Sequence, residues 1–327
     1  MEPIKIKKGL KLPITGEPEQ VVGDGRPVRK VALIGDDYVG MKPTLEVQVG
    51  DDVKLGQVLF TDKKTPGVKF TSPGAGKVIE INRGAKRHFE SIVIELDGDE
   101  EVTFKSYGVD KLSTLNRKDI IEQLVDSGLW TSFRTRPFSK VPSPESQPSS
   151  IFINAMDSHP LAPNMEKVIL GQGDDFKNGL MILSALTDNK IFLCKEKGSH
   201  ISASGINSIV EQEFFGPHPS GNAGTHIHFL DPVSEHKTVW YIGLQDVLAI
   251  GKLFTTGKLN VDRIVAVGGP AVKKPRLLKT RLGVSLKQLL HDELNDGENR
   301  IISGSVLSGR NASGTFGYLG KFHQQVS

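Results

Sequence analysis

The residues best equipped for chemistry fall in two stretches. In EFFGPHPSGNAGTHIHFLDP, Phe214 and Phe215 precede His218, His226 and His228, and Asp231 and His236 follow closely. A glycine-rich loop running into a short strand would put His226 and His228 on one face, because alternate residues of a strand share a face. Such a pair can hold an ion, but the spacing matches no common closed zinc site, and no metal is expected. The alternatives are polar contacts to a ligand or partner, with rings that pack and imidazoles that hydrogen-bond, or a merely tight connection.

The second stretch is Asp126 to Ser139, DSGLWTSFRTRPFS. It lies between a helix-like pattern and an apolar strand-like run, where an α/β protein usually binds a nucleotide or flavin. A phosphate-gripping loop needs glycines there, because only residues without a Cβ let backbone N–H groups close on an anion. This loop carries Trp130, Phe133, Arg134 and Arg136 instead. The arginines are bidentate phosphate ligands by type. Docking or space-filling is nevertheless the expected role of these four residues, with a small-molecule or nucleotide site as the alternatives.

Other catalytic signatures are missing. The sequence has no Ser/His/Asp order, no GxSxG elbow, no HExxH helix and no G-x-x-x-x-G-K-[ST] loop. Gly35 follows a strand-like run in VALIGDD, but no further glycine arrives with dinucleotide spacing. Cys194, the single cysteine, excludes an intramolecular disulfide and any cysteine-ligated cluster built from this chain alone. Within IFLC it reads as a small buried hydrophobe.

The elements that must position these residues read as follows. Ile4 and Ile6 alternate with lysines and meet Gly9, Pro13, Gly16 and Pro18, the pattern of an edge strand entering an extended arm. Short strands and turns run from Val31 to Val93, including VQVGDDVKLGQVLF and FTSPGAGKVIEI. Asn116 is placed to cap a helix whose stripe is Ile120, Ile121, Leu124 and Val125, and Gly128 to stop it. Strands are expected at Ile151–Ala155 and Lys190–Cys194, with helices at Met165–Leu170, Gly179–Leu186, from Gly205 through Val210, and at Leu244–Phe254. A strand at Arg263–Val267 and a helix at Ser285–Leu294 complete a small β-grasp-like unit. Strand–helix–strand order makes a parallel sheet with helical crossovers the expected architecture. The expected domains are 1–100, 101–257 and 258–327.

Composition agrees with this. The 35 glycines and 18 prolines, with 6% aromatics, favour a turn-rich α/β chain over a helical bundle. The net charge of +3, from 41 interspersed basic and 38 acidic residues, does not imply nucleic acid. No apolar run approaches the roughly 20 residues needed to cross a bilayer.

Two resemblances sharpen the reading. Residues from Val47 to Ile81 resemble the biotinyl/lipoyl-type sandwich, with its G-D-x-V-x-x-G-x-x-L and P-x-x-G-x-V units. Lys63 and Lys64 fall near the tip where carrier members attach a swinging arm, but lack the carrier setting, so a structural or docking role is expected. IKIKKGLKLPITGEPEQ, FFGPHPSGNAGTHIHFLDP, IGLQDVLAIGKLFTTGKL and SGSVLSGR together resemble the A-subunit family of the bacterial Na+-translocating NADH:quinone oxidoreductase (Na+-NQR). In the wider relatives, the NADH-binding flavoprotein of respiratory complex I and the C-subunit of the Rnf electron-transport complex, S-G-L leads into G-x-G-G-A-G-F-P, which holds FMN. Ser127, Gly128 and Leu129 remain here and Arg136-Pro137-Phe138 ends near the F-P turn, but the glycines are gone. NAMDSHP is similar to their N-A-D-E-S-E-P segment, with His159 in place of a carboxylate.

The resemblance implies a Rossmann-like α/β domain joined to a biotinyl/lipoyl-like sandwich and a β-grasp-like domain of the SLBB type. It implies a redox-silent peripheral subunit on the cytoplasmic face of the bacterial inner membrane, docked to the membrane subunits. NADH, flavins, iron–sulfur and ubiquinone belong to the complex, and none is bound as a cofactor by this chain. Quinone contact is expected at Phe214, Phe215, His218, His226 and His228. A further, largely helical region is expected beyond Ser327. The competing reading is a free-standing soluble oxidoreductase binding flavin or NADH, and the weakest is a carrier domain using Lys63 or Lys64.

Overall fold

In the computed structural model, which describes residues 2–203 and 205–327, the chain opens as an arm shared between two sheets. β1 (Ile4–Lys5) lies parallel to Phe214–Phe215, and β2 (Glu19–Asp24) lies parallel to the strand around Leu277. The expected edge strand and extended arm are both present.

A sandwich of two antiparallel sheets follows. β3 (Lys30–Ile34), β4 (Pro43–Leu45), β5 (Asp52–Val53), β6 (Val58–Asp62), β7 (Lys69–Thr71), β8 (Gly76–Arg83) and β9 (Phe89–Leu96) form sheets ordered β3-β9-β8-β5 and β4-β6-β7. Phe60 and Phe70 stack between them at 4.5 Å, beside Val78, Ile92 and Ile94. Asp62 is buried and accepts from the Lys42 and Lys64 N–H groups, each at 2.9 Å, which fixes the β6–β7 turn. Lys63 and Lys64 stand exposed at that tip.

The α/β unit is built around α1 (Arg117–Asp126), β10 (Arg134–Arg136), β11 (Ser150–Ala155), α2 (Met165–Ile169), α3 (Gly173–Leu186), β12 (Lys190–Glu196), β13 (Ile209–Phe215), α4 (Ala223–Leu230), β14 (Val239–Gly243) and α5 (Leu244–Thr256). Asn116 caps α1 by accepting from the Asp119 N–H at 2.9 Å, and Gly128 ends it at φ 78°. The sheet order is β1-β13-β12-β11-β14-β10, parallel except for β10. From β11 the chain builds outward through β12 to β13, then returns to place β14 on the other flank of β11. Ligands of open parallel sheets bind at such a reversal, beyond the carboxyl ends of the strands.

Two expected elements are corrected. The helix expected through Val210 gives way to a turn and β13, in which Ile209, Gln212 and Phe214 are buried. This near-alternation fits pairing with β12, and the sheet contact outweighs a weak helical pattern. The strand expected to carry His226 and His228 is α4, so the two residues take different faces: His226 is buried and His228 exposed. β14, in VWYIG, went unread although it flanks β11 at the centre of the sheet.

The last unit contains β15 (Asp262–Val267), β16 (Arg276–Arg281), α6 (Leu286–Leu289), β17 (Ile302–Ser303), β18 (Arg310–Asn311) and β19 (Gln325–Val326). Its sheet runs β18-β17-β19-β15-β16-β2. Val265, Val267, Leu278, Leu286, Leu289 and Leu319 form its core. The helix is shorter than the expected Ser285–Leu294.

Candidate functional site

The Trp130 and Phe133 rings are fully buried. Both pack on Trp240 of β14, at centroid distances of 5.4 and 5.7 Å, and the Trp130 indole donates to the Pro142 carbonyl at 2.8 Å. A buried indole with a satisfied N–H is a core anchor. Of the two roles expected for these rings, space-filling is the one this geometry supports, since neither presents surface for docking.

Arg134 and Arg136 have a different setting. They sit on β10, antiparallel to β14, and line a crevice of about 690 Å³ above the carboxyl ends of β11 and β14. The Arg134 guanidinium is 3.9 Å from the centroid of Phe322 and 4.7 Å from that of Tyr241, and Arg136 is 5.3 Å from Tyr241. Burial pulls Arg134 below its ordinary pKa, while Tyr241 acts in the opposite direction. The opposite wall brings in the C-terminal unit through Ser308, Arg310 and His323. Burial lowers the His323 pKa to about 4.

The expected histidine and phenylalanine set is divided between environments. Phe214 and His226 are fully buried and in ring contact at 4.3 Å, so neither faces a ligand. His226 Nε2 lies 2.8 Å from the Ser220 carbonyl and must carry the proton, because a carbonyl only accepts. Nδ1 is buried without a partner, and burial lowers the pKa to about 4. Phe215 and His218 line a second cavity, of about 470 Å³, whose other wall includes Leu10, Leu12 and Ile14 of the arm. His218 meets His159 at 4.5 Å and lies 3.1 Å from the Ser158 hydroxyl, and burial followed by the nearby His159 lowers its pKa. No group of three or more metal-capable side chains occurs among the described residues.

One constellation has no sequence signature. His159 Nδ1 lies 2.6 Å from Asp157 Oδ1, and Ser308 Oγ lies 3.2 Å from His159 Nε2. Ser308, His159 and Asp157 thus form a line resembling a hydrolytic triad. The neighbouring amides of Ser308 and Gly309 both donate to the Ser305 carbonyl, so they supply no oxyanion hole. The line serves as a tie between the α/β and C-terminal units.

Three family models match the chain: the N-terminal barrel-sandwich hybrid domain of NqrA over residues 4–97, its second alpha/beta domain over 115–259, and the NQRA C-terminal domain over 264–314. The A-subunit of the Na(+)-translocating NADH-quinone reductase of Pseudomonas aeruginosa is 57% identical over 99% of this chain and 72% of its own length. Its counterparts in Marinomonas sp. and Vibrio campbellii are each 56% identical over the same shares. The chain belongs to the A-subunit family of the Na(+)-translocating NADH-quinone reductases. An NAD+-reducing [NiFe]-hydrogenase aligns only weakly, at a TM-score of 0.44 and 14% identity over 68% of this chain and 51% of its own. Among the described residues of this NqrA-family chain, no helix is long and apolar enough to cross a membrane.

Within the family fold, Arg310, Phe322 and His323 are the site residues that sequence reasoning missed. They lie far along the chain from Arg134; Arg310 closes the SGSVLSGR run quoted above, which speaks for the family and not for this crevice, and no local motif marks Phe322 or His323.

Proposed function

We propose that the chain serves as a redox-silent peripheral subunit of the Na+-pumping NADH:ubiquinone oxidoreductase, docked to membrane subunits on the cytoplasmic face. The observation that carries this reading is the replacement of a glycine cradle by the buried Trp130 and Phe133 and by the arginine strand β10. Backbone N–H groups that bond across a sheet cannot also close on a flavin phosphate. The α/β scaffold is Rossmann-like in this reading, the C-terminal unit β-grasp-like, and electron transfer belongs to other subunits.

Quinone contact fits the arm-covered cavity best. Phe215 and His218 offer a ring face and an imidazole to a quinone headgroup, and Leu10, Leu12 and Ile14 suit its apolar tail. Phe214 and His226 support the wall from behind. The purified chain should lack a visible flavin band, and one that survives gel filtration would overturn the redox-silent reading. In the assembled complex, His218→Ala and Phe215→Ala should raise the quinone KM, and unchanged kinetics in both would remove the quinone contact.

A further inference from the structure

We propose that the end of the sandwich formed by the β6–β7 and β8–β9 turns, together with the Phe138 tip beyond β10, rests on a bilayer surface of anionic lipid headgroups. The contact is with lipid and not with a protein subunit, so it stands or falls separately from the docking reading above.

The three turns share one end of the sandwich. Phe89, at the base of the β8–β9 turn, packs on Phe60 of β6 at 5.1 Å, and His88 meets Asp36 at 2.9 Å. Tyr38, in the segment between, lies 4.7 Å from Phe70 of β7. The tip beyond β10 joins them through Lys140, whose Cε would lie 3.4 Å from a Cβ on Gly40. The pairing of Asp52 and Val53 with Lys77 and Gly76 marks the opposite end.

Positive charge gathers on this surface. Lys63 and Lys64 are exposed on the β6–β7 turn, and the Lys63 N–H donates to the carbonyl of the exposed Lys42 at 2.9 Å. Arg83, Lys86 and Arg87 are exposed at the β8–β9 turn, and Lys140 at the third tip. None of these seven cations has a carboxylate within ion-pair reach among the described residues. Against them stand four carboxylates, Asp36, Asp62, Glu90 and Glu145, so three positive charges are in excess. Asp37, behind this surface, is paired with Arg310.

The backbone is shaped to present these groups. Phe138 is 73% exposed at φ 79°, and Ser139 follows at φ 54°. Lys86 and Arg87 take φ 53° and 61°. Residues with a Cβ seldom occupy this left-handed region, and those held there cluster at functional positions. Here the conformation leaves a phenyl ring and two cations in solvent.

The class of partner follows from how the groups are spread. A protein interface concentrates its energy in a desolvated centre of packed anchors. On this surface a single ring, Phe138, stands among solvated cations on three separate turns, with Lys140 Nζ 5.9 Å from its centroid. A bilayer offers mobile anionic headgroups to the cations and, just beneath them, an apolar boundary to the ring. Long cationic stems can keep their charge at headgroup level while the ring enters. The docking role expected of Lys63 and Lys64 thereby gains a surface to act on.

The full chain is sedimented with vesicles of phosphatidylcholine alone and of phosphatidylcholine with phosphatidylglycerol. The mixed vesicles should bind it at least about tenfold more tightly. Raising the salt from about 0.1 M to about 1 M, which shortens the Debye length from about 10 Å to about 3 Å, should release it. Lys63→Gln with Lys64→Gln should weaken binding about twentyfold, at about fivefold for each lysine near the surface. Phe138→Ser should weaken it about fivefold. Lys54→Gln with Lys77→Gln removes the same charge from the opposite end of the sandwich and should change binding less than about twofold. Equal affinity for the two vesicles, equal losses in the two lysine pairs, or binding untouched by Phe138→Ser overturns the proposal, and absence of binding to either vesicle would assign this surface to a protein instead. A second measurement needs no variant: mixed vesicles should shield Lys63, Lys64 and Lys140 from acetylation, read by peptide mass, while Lys54 and Lys77 stay reactive. Uniform reactivity of all five would also overturn it.

Discussion

The Arg134 guanidinium lies 3.9 Å from the centre of the Phe322 ring, joining a strand of the α/β unit to the last residues of the C-terminal unit. The contact closes one side of the crevice and holds Arg134 without an ion pair. A cation over a partly desolvated ring is worth about 1–2 kcal/mol. A double-mutant cycle with Arg134→Gln and Phe322→Leu should therefore give a coupling of about 1 kcal/mol in urea unfolding. Strict additivity would show that the two groups merely lie side by side.

Gly251 and Gly179 set how closely α3 and α5 approach. A Cβ at Gly251 would fall 1.9 Å from the Asp175 carbonyl oxygen, and one at Gly179 would fall 2.1 Å from that of Val247. Backbone cannot yield as a flexible side chain can, so Gly251→Ala should cost about 3 kcal/mol through forced separation of the helices. Gly173→Ala, at the start of α3 with nothing within 4 Å, should change stability by less than about 0.5 kcal/mol. Similar urea midpoints for the two variants would contradict the close-crossing account.

These contacts mark where the sequence could and could not be read. Local chemistry was legible: the Asn116 cap, the Gly128 stop and the β11, β12 and β15 strands all lie where residue types place them. The arginine loop could be recognised as departing from a phosphate cradle because that judgement needs only neighbouring residues. The burial of Trp130 was undecided until Trp240 was seen behind it, and β14, which carries Trp240, is a short apolar run easily absorbed into the following helix. His226 and His228 were misplaced for a related reason. THIHFL alternates like a strand, yet α4 buries Ala223, His226 and Ile227 at helical spacing. Partners such as Arg310 and Phe322 depend on long-range closure, which no local pattern encodes.

The buried His226 gives a pH dependence with a definite sign. The unfolded ring takes a proton near pH 6.5 and the folded ring only at about 4, since burial opposes the charge. Above pH 6.5 neither state is protonated and the group is silent. Between the two values only the unfolded chain gains a proton, so stability falls as the pH drops through this window, by about 3 kcal/mol in all. His323, also lowered to about 4, acts in the same direction. Urea unfolding between pH 7 and pH 4 should show the fall, and His226→Leu should reduce its slope by about 1.4 kcal/mol per pH unit. An unchanged slope would mean that His226 is reached by solvent in the folded state.

Asp246 is the charge on which the junction of the α/β and C-terminal units depends. Its Oδ1 accepts from Arg263 of β15 and from Lys321 of the final segment, each at 2.7 Å, and all three side chains are nearly inaccessible. Burial alone would raise its pKa, but Lys321 and then Arg263 outweigh burial and hold the carboxyl below the usual range. Asp246→Asn keeps the shape and one acceptor while leaving two buried cations without their counter-charge. Stranding a buried charge costs about 3–5 kcal/mol, so the variant should lose that much in urea unfolding at pH 7. Asp262→Asn is the control, because Asp262 pairs with Lys279 at 3.5 Å with both side chains about half exposed. It should lose less than about 1 kcal/mol, and equal losses in the two variants would refute a special role for the buried trio.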